Sequence, residues 1–177
     1  MKHLYFVRHG LSVLNQQGLW SGSTDTPLTD EGKAQARAAG KRAKQLSIDI
    51  IVASPLKRAH DTAKIIASEI AYPHSEIVLH DLLTERHFGV LEGTPYDPSL
   101  AQDNVEDIET LEALRARVEQ LWEHLQTLDH DTVLVVSHGS TGRMLRTIIH
   151  PETPFWSDDP DLREKLKFPN AEIVKLV

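Results

Sequence analysis

Apolar and polar residues form alternating blocks along the chain, and these blocks predict strands and helices in turn. Short apolar runs predict β-strands at residues 4–7, 48–53, 77–79, 132–136 and 173–177. Segments in which apolar residues recur every three or four positions predict helices at about residues 30–46, 54–70, 111–128 and 143–149. Strands that alternate with helices favour an α/β fold of three layers, α/β/α, with a mostly parallel central sheet.

Local signals set the expected ends of these elements. Thr29 is a predicted helix N-cap, with Asp30 and Glu31 in the first helical turn. Ser54 is the predicted cap of the next helix, with Pro55 in its first turn. Residues 11–28 are rich in Ser, Gly, Asn and Gln and predict a loop. No repeat or linker interrupts the pattern, so we expect one domain over residues 1–177, with a short lid segment at about 94–108.

The net charge and composition of the chain indicate which classes of binding partner and which cellular location to expect. The formal net charge is −7, which disfavours nucleic acid and anionic membranes as partners. No run approaches the roughly 20 apolar residues of a membrane span, and the first apolar run is too short for a signal peptide. The chain has no cysteine, which is compatible with the cytoplasmic location that we expect. The sequence does not indicate an oligomeric state.

Chemically active side chains follow the predicted strands. Arg8-His9-Gly10 and Ser137-His138-Gly139 place each histidine as the last residue of a predicted strand. Arg58 falls in a first helical turn, where free N–H groups favour anions. Glu85 follows the third strand. Ligands bind beyond the carboxyl ends of parallel strands, so we expect an anion site there.

Each of these residues alone has an ordinary explanation as a surface charge, a core histidine or a turn glycine. Their shared position at several strand ends is what favours a site. A metal centre is the main chemical alternative, since histidine is a common ligand. Two arginines disfavour a cation, and the chain has neither an H-E-x-x-H motif nor cysteine, so we expect no metal and no cofactor.

Several motifs together resemble the histidine phosphatase superfamily, also called the phosphoglycerate mutase-like family. The resemblance extends over nearly the whole chain. The residues that carry it are Arg8-His9-Gly10 with Ser12 and Asn15; Gly22, Asp25, Leu28-Thr29 and Gly32; Ser54-Pro55-Leu56-Lys57-Arg58-Ala59 with Thr62-Ala63; Leu83-Thr84-Glu85 with Phe88-Gly89 and Glu92-Gly93; Ser137-His138-Gly139 with Arg143 and Leu145; and, more weakly, Asn170.

The resemblance implies a phosphoryl transfer in two steps. It makes His9 the nucleophile that becomes a phosphohistidine and Glu85 the donor of a proton to the leaving oxygen. It makes Arg8, Arg58 and His138 the pocket for the transferring phosphoryl group. The further residues that it places at the phosphate or substrate are Asn15, Ser21, Gly22 and Gly139.

These roles agree with the chemistry. Fixed positive donors stabilise the charge on a phosphoryl group in flight, and an alkoxide leaves well only if an acid protonates it. His9 must be neutral at its attacking nitrogen, and we expect its other nitrogen to donate to a backbone carbonyl. Because Glu85 must be protonated while His9 is not, we expect activity at acidic or neutral pH.

The sequence departs from the family pattern at positions where a change of side chain would alter contacts with the substrate. Leu11 stands where many members have an acidic or amide residue, and Leu14 stands where many have Trp. Ser140-Thr141 replaces a pair that more commonly contains glycine. The segment 155–161, with Phe155 and Trp156, is interpreted as a surface loop, with the pocket rim and a dimer contact as alternatives.

The segment 94–108 favours hydrolysis over a mutase reaction. It is short, and it carries Asp97, Asp103, Glu106 and Asp107 without any Lys or Arg for a substrate carboxylate. An open site admits water to the phosphohistidine. We therefore expect a phosphatase acting on a small phosphorylated metabolite or a phosphoprotein. A phosphoglycerate-type mutase, a protein phosphohistidine phosphatase and a non-catalytic phosphate-binding protein remain alternatives.

Overall fold

The predicted three-layer α/β/α fold is confirmed in a computed structural model, which describes residues 1–100 and 105–177. Five strands form one sheet in the order β3-β2-β4-β1-β5. The strands are β1 (His3–Arg8), β2 (Ile50–Ala53), β3 (Val78–Leu79), β4 (Thr132–Ser137) and β5 (Ile173–Lys175). β1, β2, β3 and β4 are mutually parallel, whereas β5 runs antiparallel to β1 at the edge.

Six α-helices accompany the sheet in the part of the chain that the structure describes. They are α1 (Val13–Gln16), α2 (Asp30–Ala43), α3 (Lys57–Glu69), α4 (Leu111–Thr127), α5 (Gly139–Ile149) and α6 (Pro160–Leu166). Thr29 caps α2 as predicted, because its hydroxyl accepts the N–H of Gly32 at 2.9 Å. Single-turn 3-10 helices occur at His74–Glu76, Asp81–Leu83, Gly89–Leu91 and Pro98–Leu100.

The two faces of the sheet bury separate apolar cores, which is why the central residues of β1 and β4 and all of β2 are apolar. Leu4 and Phe6 of β1 point to one core, which α4 and α5 cover. Val7 points to the other core, which α2 and α3 cover through small side chains such as Ala39 and Ala63. Because successive strand residues alternate between faces, both cores draw on the same strands.

Three local predictions are corrected by the structure. Residues 11–28 are not all loop, since Ser12 caps the short helix α1. Ser54 does not cap α3, which begins at Lys57 after Leu56, because its hydroxyl contacts His138 instead. The segment after Trp156 contains α6, whose N-cap is Asp159.

Candidate active site

The site begins with the register of two neighbouring parallel strands. Arg8 pairs with Ser137, so the residues that follow them, His9 and His138, emerge side by side. Their ring centroids lie 5.2 Å apart. Both histidines were predicted to end their strands, but β1 and β4 end one residue earlier, and His138 is the N-cap of α5.

The imidazole of His9 is held at both nitrogens. Nδ1 lies 2.7 Å from the carbonyl oxygen of Gly10, which is the backbone contact expected from the sequence. The Nε of Arg58 donates to Nε2 over 3.2 Å. A guanidinium N–H can only donate, so Nε2 must present its lone pair and Nδ1 must carry the hydrogen. The ring is therefore fixed in the tautomer that a nucleophile at Nε2 requires.

Gly10 is required for a close approach within the protein. A Cβ at Gly10 would lie 2.3 Å from the carbonyl oxygen of Gly32 in α2. The backbone after His9 therefore packs directly on the first turn of that helix. The φ of Gly10 is not positive, so this close approach to the helix is what requires glycine at the position.

Arg58 is fully buried in the first turn of α3. Besides His9, it donates from Nη1 to the carbonyl oxygen of Thr24 at 2.9 Å and from Nη2 to that of Gly22 at 2.6 Å. Three separate contacts therefore fix the plane of the guanidinium. Since neither carbonyl is charged, the positive charge of Arg58 is left for an anion in the site.

Both histidines are held neutral. Burial, Arg58 and Arg8 hold the pKa of His9 well below its ordinary value, although the bond to Gly10 opposes this. Burial and Arg58 likewise lower the pKa of His138 far below its ordinary value. His138 contacts the hydroxyl of Ser54 through Nε2 at 2.7 Å, and its buried Nδ1 has no partner in the described part of the chain.

Glu85 lies over the start of α5. Its carboxylate accepts the backbone N–H of Ser140 at 3.1 Å and of Thr141 at 3.2 Å, and that of Arg86 at 2.9 Å. The N-terminal end of a helix favours such an acceptor. Ser140 and Thr141 act on Glu85 through their backbones, so their departure from the family pattern does not remove these two hydrogen bonds.

A cavity of about 330 Å³ opens over these groups. The predicted site residues that line it are Arg8, His9, Asn15, Ser21, Gly22, Arg58, Glu85 and Gly139. His138 does not line it and lies fully buried behind His9. Asn15 donates to the hydroxyl of Ser21 at 3.3 Å, which joins α1 to the segment beside Gly22. Of the two unusual leucines, Leu11 lines the cavity and Leu14 does not.

Some cavity residues were not among the predicted site residues. They include Leu19, Trp20, Phe88, Tyr96, Arg143, Lys167, Phe168 and Asn170. Asn170 supports the backbone of His9 directly, because its amide donates to the carbonyl oxygen of His9 at 2.7 Å. The sequence did not assign Asn170 to the site, because its match to the family motif is weak and a single asparagine produces no periodic pattern. Arg143 belongs to the motif around His138, but its spacing in the sequence does not indicate that it lines the cavity.

Glu92 is a further residue that the sequence did not assign to the site. Its carboxylate accepts the backbone N–H groups of Ser23 at 2.9 Å, Thr24 at 2.8 Å and Phe88 at 3.0 Å, together with both hydroxyls of Ser23 and Thr24. These bonds anchor the segment 22–24, whose carbonyl groups hold Arg58. We call this arrangement the Glu92 clasp. Its parts are far apart in sequence, so no local pattern reveals it.

The predicted lid is described only in part, and Asp103 lies outside the described residues. Tyr96 stacks on Trp20 with ring centroids 4.4 Å apart, and Trp20 donates its backbone N–H to Thr94 at 2.9 Å. Asp97 binds the hydroxyl of Ser99 at 2.7 Å. The start of this segment is therefore tied to the loop between α1 and α2, at the rim of the cavity.

The aromatic segment after α5 also reaches the cavity rim. Phe155 and Trp156 are half-buried, and the guanidinium of Arg143 lies over both rings, 5.0 and 5.7 Å from their centroids. Arg163 of α6 covers Trp156 at 4.8 Å. The sequence left a surface loop, the pocket rim and a dimer contact as alternatives for this segment. In the structure the two aromatic rings contact Arg143, which lines the cavity, but they do not line it themselves.

Within residues 1–100 and 105–177, no group of three or more His, Asp or Glu side chains could hold a metal ion. Among the same residues, no helix combines the length and apolar character that crossing a membrane requires.

Comparison with known families gives a match over almost the whole chain. The model of the histidine phosphatase superfamily (branch 1) matches residues 4–176. A Bacillus subtilis (strain 168) protein named uncharacterized phosphatase PhoE is 40% identical, over 87% of this chain and 80% of that protein. A 2,3-bisphosphoglycerate-dependent phosphoglycerate mutase of Brucella melitensis biotype 2 (strain ATCC 23457) is 34% identical, over 85% of this chain and 82% of the mutase.

Solved structures share the fold. A mycobacterial glucosyl-3-phosphoglycerate phosphatase superposes with a TM-score of 0.82 at 22% identity, over 99% of this chain and 92% of that chain. The alpha-ribazole phosphatase of Shigella flexneri superposes with a TM-score of 0.78 at 24% identity, over 98% of this chain and 89% of that chain. At these identities the likeness concerns the arrangement of the chain and not its substrate.

Proposed function

Because the chain belongs to the histidine phosphatase superfamily, we propose that it is a metal-independent phosphomonoester hydrolase that works through a phosphohistidine on His9. The observation that carries this proposal is the pair of hydrogen bonds on the ring of His9. They leave the lone pair of Nε2 available and keep the proton on Nδ1. The positive charge that a metal would otherwise supply comes from Arg8 and Arg58.

In the first step, Nε2 of His9 attacks the phosphorus atom of the ester. A P–N bond forms, and the P–O bond to the alcohol breaks. Glu85, beside the start of α5, gives its proton to the departing oxygen, so a neutral alcohol leaves. Attack requires Nε2 to exchange the hydrogen bond from Arg58 for the phosphorus, which leaves that N–H for a phosphoryl oxygen.

In the second step, water attacks the phosphohistidine. Glu85, now ionised, takes a proton from the water as the new P–O bond forms and the P–N bond breaks. Inorganic phosphate leaves, and His9 and Glu85 return to their starting states. The buried His138 is proposed to steady the transferring group through its unpartnered Nδ1.

Two kinds of relative bear on the fate of the phosphohistidine. The relative at 40% identity is named a phosphatase, and one at 34% is named a phosphoglycerate mutase. Hydrolysis is favoured here because the lid segment is short and acidic, as the sequence shows. A mutase is the second candidate, supported by the 34% relative. The proposed substrate is a small phosphorylated metabolite.

The test is hydrolysis of p-nitrophenyl phosphate in excess EDTA by the wild type and by His9→Ala. Turnover that survives EDTA and is lost in the variant supports the proposal. Turnover lost to EDTA contradicts the metal-independent mechanism. If neither protein turns over, incubation with ³²P-labelled phosphoesters and acid-labile labelling of His9 separates a narrow enzyme from a phosphate-binding protein. Conversion of 3- to 2-phosphoglycerate faster than phosphate release would favour the mutase, and phosphate release from a phosphohistidine-bearing carrier protein would favour a protein phosphatase.

A further inference from the structure

Arg143 is a cavity-lining cation that forms no salt bridge with any of the described residues. Its only hydrogen bond to a described residue is a long one, 3.4 Å from Nη2 to the hydroxyl of Ser140. Its Nε is buried without a partner in the described part of the chain. No carboxylate of residues 1–100 or 105–177 forms a salt bridge with it. Burial accordingly lowers its pKa.

Three other arginines of the chain have stronger hydrogen bonds or more of them. Arg117 binds both carboxylate oxygens of Glu109 at 2.9 Å, and Arg58 binds two carbonyl groups and His9. Arg163 donates to the carbonyl oxygens of Ser157 and Asp158 at 3.0 and 2.8 Å. A guanidinium carries five N–H donors in a rigid fork, so Arg143 retains most of its capacity to bind an anion.

The aromatic rings hold this unused fork in place. Phe155 and Trp156 lie against the guanidinium, and aromatic faces attract a cation without neutralising it. Lys167, the other cation of the cavity outside the predicted set, already binds Glu164 at 2.6 Å. The side chain is thus held in place at a desolvation cost. The charge of Glu85 opposes that cost, but no salt bridge within residues 1–100 and 105–177 offsets it.

We propose that Arg143 binds a second anionic group of the substrate, so that the preferred substrates are phosphomonoesters that carry an additional carboxylate or phosphate. This inference rests on the proposed phosphatase function. The transferring phosphoryl group lies at Nε2 of His9, and the second anion lies at the fork of Arg143, below Phe155 and Trp156. The cation comes from α5 and not from the acidic lid segment, where the sequence analysis looked for one.

The experiment compares esters that differ only in the second anion. For a carboxylate the pair is 3-phosphoglycerate and glycerol 3-phosphate; for a phosphate it is fructose 1,6-bisphosphate and fructose 6-phosphate. Phosphate release gives kcat/KM for each. The wild type is expected to prefer the more acidic member of at least one pair, and Arg143→Gln to lower kcat/KM for that member by about 10- to 100-fold, with less than about threefold change for its partner.

Two further variants distinguish a specific loss of substrate preference from a general loss of folded enzyme. Arg143→Lys keeps the charge without the fork and is expected to retain part of the preference. Arg163→Gln removes a cation from the other contact with Trp156, outside the cavity, and is expected to leave the preference unchanged. Equal losses on both members of a pair, or a wild type that does not prefer either acidic ester, would overturn the inference. Absence of phosphate release from every ester, p-nitrophenyl phosphate included, would instead contradict the phosphatase function itself.

Discussion

The Nε of Arg58 lies 3.2 Å from Nε2 of His9 and donates a hydrogen bond to it. In the proposed mechanism, this one buried side chain supplies positive charge for the phosphoryl group and also keeps a proton off the attacking nitrogen. Its other two donors are fixed by the carbonyl groups of Gly22 and Thr24. The reactivity of His9 thus depends on a segment that does not touch the imidazole.

Replacing Arg58 by glutamine is expected to shift the acidic side of the pH–activity profile to higher pH. The variant loses a cation that lowers the pKa of His9, so that pKa rises toward its ordinary value. Since only neutral His9 attacks, kcat/KM of the variant falls off at a higher pH than in the wild type. We also expect kcat to fall by about 100- to 1,000-fold. A pH profile of p-nitrophenyl phosphate hydrolysis measures both effects.

The matched control is Lys57→Gln. Lys57 immediately precedes Arg58 in α3, and its side chain pairs with Asp61 at the surface at 2.8 Å. In that variant kcat/KM should fall off at the same acidic pH as in the wild type. If kcat/KM of Arg58→Gln also falls off at the wild-type pH, Arg58 does not set the protonation of His9.

Acid is expected to destabilise the fold through the two buried histidines. Below the ordinary histidine pKa of about 6.5, His9 and His138 take up protons when unfolded but not when folded. The unfolded state then binds more protons, so the free energy of unfolding decreases as pH falls below about 6.5, by about 1 kcal/mol per pH unit for each histidine. Urea unfolding between pH 7 and pH 5 measures this slope. His138→Gln should flatten it, and equal slopes in the two proteins would contradict the assignment.

Weakening the Glu92 clasp is expected to slow catalysis without touching the cavity wall. Glu92→Gln replaces one carboxylate oxygen by an NH₂ group, which cannot accept the N–H groups of Ser23 or Thr24. The segment 22–24 then holds Arg58 less firmly, and we expect kcat to fall by about 10- to 100-fold. Glu119→Gln, which loses only a surface pair with Arg115, is the control. If kcat/KM falls off at a higher pH than in the wild type, as in Arg58→Gln, Glu92 is a positioning residue; an unshifted pH profile with unchanged kcat would refute this.

Gly22→Ala should disrupt the same clasp from its other side. Gly22 has φ +47°, and a Cβ there would lie 2.1 Å from Oε1 of Glu92. Gly93 also has a positive φ, +81°, but a Cβ there would have no neighbour within 4 Å. Both alanine variants carry the backbone strain of about 1–2 kcal/mol, so the extra loss of kcat in Gly22→Ala isolates the contact with Glu92. Equal kcat values in the two variants would rule that contact out as a catalytic requirement.

The layers and the strand ends could be predicted from the sequence because they depend on local patterns. Apolar runs defined all five strands to within about two residues, and the helices α2 to α5 were expected from their periodicity. Parallel strands bring their carboxyl ends to one edge of the sheet, so His9 and His138 could be expected at the same edge. That they lie side by side depends on the strand order, which the sequence did not predict. The short helices α1 and α6 were missed, because four and seven residues are too few to show a period.

The supporting contacts could not be predicted, because they join segments distant along the chain. Ser54 matches a helix cap by its position before Pro55, yet its hydroxyl serves His138. Arg143 has the spacing of an ordinary helical residue, and its lack of a salt bridge with the described residues depends on what α5 packs against. Glu92 reaches Ser23 across 69 positions. Such contacts are properties of the folded chain and leave no mark on sequence periodicity.

The position of β1 between β4 and β5 has a consequence for how the protein is made. His3 pairs with Thr132, and Val7 pairs with Ile173, so β1 is synthesised before both of the strands that flank it. At about 5–20 residues per second, the apolar stretch from Leu4 to Val7 waits many seconds on the ribosome without a partner strand. His9 is thus translated before either strand that flanks β1, so its surroundings are assembled only after Ile173 has been added.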